Sequence, residues 1–231
     1  MTENAIKPIV ITIDGPAGVG KSTAARGLAQ RLNATFLDTG AMYRAVTLAA
    51  TERGIDLTDV EAIETMMDRC RFEFQPEGDT MRVLIDGADK TADIRTPEVT
   101  EQVRHIASSS ALRERLVAMQ RRFAEGLARV VTEGRDQGTV AFPNAAVKFF
   151  LTADPTERAR RRHSELIAAG KNLSLQTVLA QQQQRDAGDE GRLVGPLKPA
   201  DDAIFIDTTT LNAEEVIDTL EKHVRERLNE R

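Results

Sequence analysis

The chain has no tryptophan, one tyrosine and one cysteine. Cys70 alone cannot close an internal disulfide, and three scattered histidines offer no zinc-type spacing, so neither a disulfide framework nor a structural zinc site organises the fold. Such sparing use of cysteine fits a reducing cytosol. No apolar run approaches the ~18 residues that would suggest a membrane-spanning helix. Met1-Thr-Glu-Asn-Ala-Ile-Lys7 has neither the apolar segment nor the cleavage site of a signal peptide. The expectation is a soluble, cytoplasmic protein with no membrane partner. A surplus of positive charge is also missing: 31 Lys and Arg against 36 Asp and Glu leave a net charge of −5. No overall field therefore recruits nucleic acid, and an anionic ligand must be held by locally placed cations. Internal repeats are absent. The only low-complexity patch, Gln181 to Gln184, is expected to be a solvated helix face.

What the chain does have is concentrated near its start. Ile9 to Ile13 is an apolar β-type run, and Gly15-Pro16-Ala17-Gly18-Val19-Gly20-Lys21-Ser22-Thr23 comes directly after it, satisfying G-x-x-x-x-G-K-[ST]. Ala25, Leu28, Ala29 and Leu32 then recur at helical spacing. Strand, glycine-rich turn and amphipathic helix in that order read as a phosphate-binding P-loop. Backbone N–H groups form an anion nest there, and the helix adds the positive end of its dipole. Lys21 supplies a mobile charge for the β- and γ-phosphates, and Ser22 a hydroxyl for Mg²⁺.

Five short strands separated by helical patterns are expected at Ile9–Ile13, Thr35–Asp38, Arg129–Glu133, Val147–Leu151 and Ala203–Asp207. They predict an α/β P-loop fold with a five-stranded parallel sheet, its cleft along the carboxyl ends of the strands. Arg71–Gln75, the turn at Pro76 to Asp79, and Met81–Asp86 break that rhythm. They read as an antiparallel hairpin in an inserted small subdomain at about 64–97, leaving 1–63 and 98–231 as the core. Asp154-Pro155 caps one helix and Ser174 opens another. Asn212-x-x-Glu215 resembles a capping box before the last.

Arg158, Arg161 and Arg162 share a helix face. They form either a fork of cations above a phosphate site or a solvated basic face partnered by Glu157 and Glu165. Arg44, Arg135 and Arg185, each beside a polar or glycine-bearing turn, are candidates for a second anion, with surface ion pairing as the alternative. Glu133 or Asp136 either holds Mg²⁺-bound water or a ligand hydroxyl, or simply caps a turn. Tyr43 lies in the first turn after Asp38-Thr39-Gly40, near the expected ligand edge, where packing alone would also place it.

Four further segments stand in register with the P-loop: Asp38-Thr-Gly-Ala-Met-Tyr-Arg44, Glu133-Gly-Arg-Asp-Gln-Gly-Thr139, Arg185-Asp-x-x-Asp189-x-x-Arg192, and Pro196-Leu with Ala200-Asp-x-Ala203 and Asp207-Thr-Thr. Together they resemble cytidylate kinases of the bacterial type over nearly the whole chain. That resemblance implies transfer of the γ-phosphoryl of ATP to CMP or dCMP in pyrimidine metabolism, with Mg²⁺, by a monomer. It implies that Lys21 and a lid at about 154–192 bearing Arg158, Arg161 and Arg162 act on the moving phosphoryl. Thr39, Arg44 and Arg135 would hold the acceptor phosphate beside Tyr43, Arg113 and Asp136 would read the cytosine edge, and Arg185, Asp189 and Arg192 would serve phosphate and ribose. The 64–97 segment would be the enlarged nucleoside-monophosphate insert. Arg104 departs from the serine common in that family, and Gln137 replaces a usual aliphatic residue, an exchange expected only to adjust packing. Small kinases of AMP, UMP or shikimate, or a GTP-dependent switch, are the competing readings. The absence of an N-K-x-D string weighs against the switch.

Overall fold

Alternating apolar runs place five strands in one sheet: β1 (Ile9–Asp14), β2 (Thr35–Asp38), β6 (Arg129–Gly134), β7 (Val147–Thr152) and β8 (Ile204–Asp207), in the order β2-β6-β1-β7-β8. The computed structural model describes residues 8–78 and 80–229. Residues 1–7, Asp79, on which the expected hairpin turn falls in part, and residues 230–231 lie outside it. β1 pairs in parallel with β7 through Ile11↔Val147 to Asp14↔Phe150, and β7 with β8 through Phe149↔Ile204 to Thr152↔Asp207. Strands buried on both faces need near-continuous apolar sequence, and Ile11, Ile13, Val130, Val131, Phe149 and Leu151 are accordingly in the core.

The chain forms two compact units. One comprises Thr35–Val130. In it run α2 (Thr39–Glu52), α3 (Val60–Arg69), and a three-stranded antiparallel sheet of β3 (Phe72–Glu77), β4 (Thr80–Ile85) and β5 (Ala88–Asp89). Phe72↔Ile85 to Glu77↔Thr80 sets the hairpin register. Burial in β4 alternates, with Met81, Val83 and Ile85 inward, as expected for a sheet with one wet face. A 3₁₀ turn, Asp93–Arg95, precedes α4 (Pro97–Ser108) and α5 (Ser110–Ala124). The break between these helices is chemical: Ser109 ends one and accepts from Leu112 N–H to cap the next.

The other unit comprises Ile9–Ala34 and Val131–Arg231. After β1 come α1 (Lys21–Arg31) and, later, α6 (Pro155–Ala168), α7 (Leu175–Glu190) and α8 (Ala213–Asn229). The Asp154 carboxylate accepts from Thr156 and Glu157 N–H with Pro155 at the first helical position. Asn212 and Glu215 exchange side-chain-to-backbone bonds of 2.8 and 3.0 Å, a reciprocal capping box at α8. Among the described residues no helix is long and apolar enough to cross a membrane. One element carries no sequence signature: a five-residue π turn at Gln137–Ala141, just after β6.

Candidate functional site

Gly15 is forced by its surroundings. Its φ is +147°, and a Cβ there would stand 2.2 Å from the Leu151 carbonyl oxygen of β7. α1 begins at a left-handed Gly20 with no side-chain cap and no acidic residue in its first turn. The helices starting after Asp38, Asp59, Thr96, Ser109, Asp154 and Ser174 are all closed by a side-chain acceptor. α1 thus keeps its first-turn N–H groups, and the positive end of its dipole, available to an anion.

Lys21 is 6% exposed and its ammonium donates to the Pro16 carbonyl at 2.7 Å, within the loop. Burial, then the nearby Arg135 charge, lowers its pKa to about 7, against the raising influence of Glu133 and Asp14. Asp14, at the end of β1, is raised to about 6, chiefly by desolvation. Ser22 Oγ donates to Glu133 Oε1 at 2.8 Å. These two oxygens suit a hard cation that keeps several waters and leans on substrate phosphates. Among the described residues no cluster of three or more His, Cys, Asp or Glu builds a dedicated cage.

The three candidate arginines of α6, Arg158, Arg161 and Arg162, diverge. Arg158 is buried; its guanidinium donates to the Ala17 carbonyl at 3.0 Å and to Asp186 of α7 at 2.5 Å. Asp186 also accepts from Ala17 N–H at 3.4 Å, so this ion pair grips both polar groups of one P-loop residue. Arg161 reaches the Thr208 and Thr209 carbonyls at 2.6 and 3.2 Å and pairs with Glu157. Arg162 is exposed, paired with Glu165. Ala159, Leu166 and Val178 form the apolar seam of this helical hairpin. In the glutamine run Gln181, Gln183 and Gln184 are exposed, as expected of a solvated face, and Gln182 alone departs from that reading. Gln182 is buried and donates to the Arg158 carbonyl at 3.3 Å, because the 178, 182, 186, 189 spacing turns it inward with Val178, Asp186 and Asp189.

Asp189 gathers two further arginines. Arg135 donates to it at 2.7 Å and Arg192 pairs with its other oxygen. Burial would raise its pKa, but these arginines hold it below the usual carboxylate range. Arg185 feels Arg135, Arg162 and Arg192 as well as Asp189. One carboxylate among three guanidiniums, those of Arg135, Arg185 and Arg192, makes a cationic cluster that suits a polyanion. Asp136 is buried in the same unit.

Thr39, Tyr43, Arg44 and Arg113 belong to the first unit. Asp38 caps α2 through Ala41 N–H at 2.8 Å and accepts from two guanidiniums, Arg44 at 3.3 Å and Arg95 at 3.4 Å. Arg95 has no sequence signal of its own: an arginine in a short turn 57 residues from Asp38 belongs to no local pattern. Thr39 is buried at the start of α2. The buried Arg113 guanidinium lies 5.8 Å from the Tyr43 ring centroid, a cation–π arrangement, and donates to the Ala107 carbonyl at 3.3 Å. Arg104 is exposed on α4 and lines an open cleft with Leu57, Thr58, Val60 and His105. Gln137 does more than fill space: buried, it accepts from Thr132 Oγ1 at 3.0 Å. Asp14 and Asp186 are the residues whose contacts exceed what their sequence positions suggested.

The glycine-rich loop and the arginine clusters suit anionic ligands, and comparison with known proteins bears on the family. The cytidylate kinase family model matches residues 11–226. Cytidylate kinase from Rhodopirellula baltica is 47% identical over 218 residues, covering 94% of this chain and 93% of its own. That from Mycobacterium leprae is 47% identical over 219 residues, covering 95% and 96%. A solved structure from Eubacterium ventriosum, 14% identical with a TM-score of 0.51 over 95% of this chain and 99% of its own, is similar in fold alone. On a match that runs from the first strand into the terminal helix, the chain belongs to the cytidylate kinase family.

Proposed function

We propose that the protein transfers the γ-phosphoryl group of ATP to CMP or dCMP, giving CDP or dCDP and ADP. An oxygen of the acceptor phosphate forms the new bond to the γ-phosphorus while the bond to the β–γ bridging oxygen breaks, its electron pair leaving on ADP. A phosphate monoester has a second pKa near 6, so at pH 7 the acceptor is mostly a dianion and no general base is required. Alignment and charge stabilisation then carry catalysis. The observation that carries this reading is the cluster of Arg135, Arg185 and Arg192 on Asp189, with Arg135 and Arg185 both acting on the charge of Lys21.

In this reading the P-loop amides and Lys21 hold the β- and γ-phosphates, and Arg158, Arg161 and Arg162 belong to a lid at about 154–192. Thr39, Arg44 and Arg135, joined by Arg95, bind the acceptor phosphate. Arg113, stacked on Tyr43, and Asp136 take the base, and Arg185, Asp189 and Arg192 the phosphate and ribose. The segment 64–97 acts as the monophosphate-binding insert on a core of 1–63 and 98–231. Ser22, with Glu133, would hold Mg²⁺ largely through water and ATP phosphates, where the ion neutralises phosphate charge. The protein works as a cytoplasmic monomer in pyrimidine nucleotide metabolism, without nucleic acid or membrane. The test is coupled detection of ADP from ATP with CMP, dCMP, UMP and AMP offered singly. Release that depends on CMP or dCMP supports the reading; equal release with no acceptor refutes it.

A further inference from the structure

Asp14 ends β1, one residue before the P-loop, and its position suggests service to the triphosphate. Its hydrogen bonds lead elsewhere. One carboxylate oxygen accepts from Gln137 N–H at 2.9 Å and the other from Gly138 N–H at 2.7 Å, both buried. These are the first two residues of the π turn that comes directly after Arg135-Asp136. In that turn Ala141 N–H bonds to the Asp136 carbonyl at 3.1 Å and Phe142 N–H to the Gln137 carbonyl at 2.7 Å. The opening N–H groups of such a turn have no acceptor within it, and Asp14 supplies both.

The fit is close on the other side too. A Cβ on Gly138 would stand 2.9 Å from Thr12 Oγ1, 3.2 Å from Lys148 Cδ and 3.4 Å from Asp14 Oδ2. Asp136 itself has φ −145° and ψ 24°, outside the helical region, so its backbone is set by the anchored π turn next to it rather than by regular structure. Asp14 thus fixes the segment that carries Arg135 and Asp136, one carboxylate oxygen to each of the two opening N–H groups.

We propose that Asp14 is a positioning residue for the monophosphate acceptor: from the donor strand it holds the Gly134–Gly138 backbone so that Arg135 and Asp136 meet their ligand. This rests on the roles proposed for those two residues in acceptor binding. Asp14→Asn keeps the size but puts an NH₂ group against one of two N–H donors, so one bond is lost and two donors face each other. The expected result is a KM for CMP raised about tenfold or more, with the KM for ATP, which the lost Asp14 charge reaches only through Lys21, rising clearly less when both are measured at a pH where the lysine is protonated. Gly138→Ala presses on the same turn from the opposite side and should show the same acceptor-selective change, which keeps the test open if Asp14→Asn folds poorly. Unchanged KM for CMP in both, or parallel rises in KM for CMP and ATP, would overturn the proposal. Wild-type protein that releases ADP without regard to CMP would instead sink the functional reading, so the two failures are separable.

Discussion

Between pH 7 and pH 9 the P-loop lysine should lose its charge in the free protein, and ATP affinity should fall with it. Lys21 has a pKa of about 7, set first by burial and then by Arg135. A bound triphosphate needs the ammonium, and its own phosphates are fully ionised above pH 7. If only the protonated form binds, the apparent dissociation constant scales as 1 + 10^(pH − 7), which weakens binding about 50-fold from pH 7 to pH 9. At pH 8 roughly nine lysines in ten are neutral, so each ATP bound should draw about 0.9 proton from solution. Asp14, at about 6, is already ionised across this range and adds little. Titration calorimetry in two buffers of different ionisation enthalpy measures both the constant and the protons. An affinity that changes less than about threefold over the range, or the same slope in Lys21→Met, would refute the reasoning.

The same lysine should weaken the ligand-free protein. Its folded pKa lies below the ordinary 10.5, so the folded state binds fewer protons than the unfolded chain between pH 7 and 10.5. The penalty is full below pH 7, at about 5 kcal/mol, and is relieved as pH rises through that window. Lys21→Met should therefore raise Tm at pH 7 by roughly 10 °C in scanning calorimetry while turnover falls at least about a thousandfold; an unchanged or lower Tm contradicts the burial argument. Asp186→Asn, by contrast, strands the buried Arg158 charge and should cost about 3–5 kcal/mol in urea unfolding. The double variant Asp186→Leu with Arg158→Met should recover most of that stability without recovering ATP affinity.

Much of this molecule is written locally. The P-loop, the five parallel strands, the Asp154-Pro155 start and the Asn212–Glu215 box each depend on residues within a few positions of one another, which a sequence pattern can express. What pattern could not express is reach. Arg158 finds Asp186 from 28 positions away, Arg95 finds Asp38 from 57, and Asp14 finds Gln137 from 123. The π turn was invisible for a related reason: its geometry comes from anchoring by a distant carboxylate, not from the propensities of Gln137–Ala141. Gln182 marks the opposite limit, since helical spacing alone would have turned it inward had a polar residue been counted as core-facing.

Ala17 has its amide and its carbonyl engaged by the same ion pair, one by Asp186 and the other by Arg158. The helical hairpin that bears the pair cannot swing outward without letting go of the loop beneath it. On the proposed reading, order in the loop and the posture of the hairpin are coupled through these two bonds, and departure of a spent nucleotide would go together with slackening of its own binding loop.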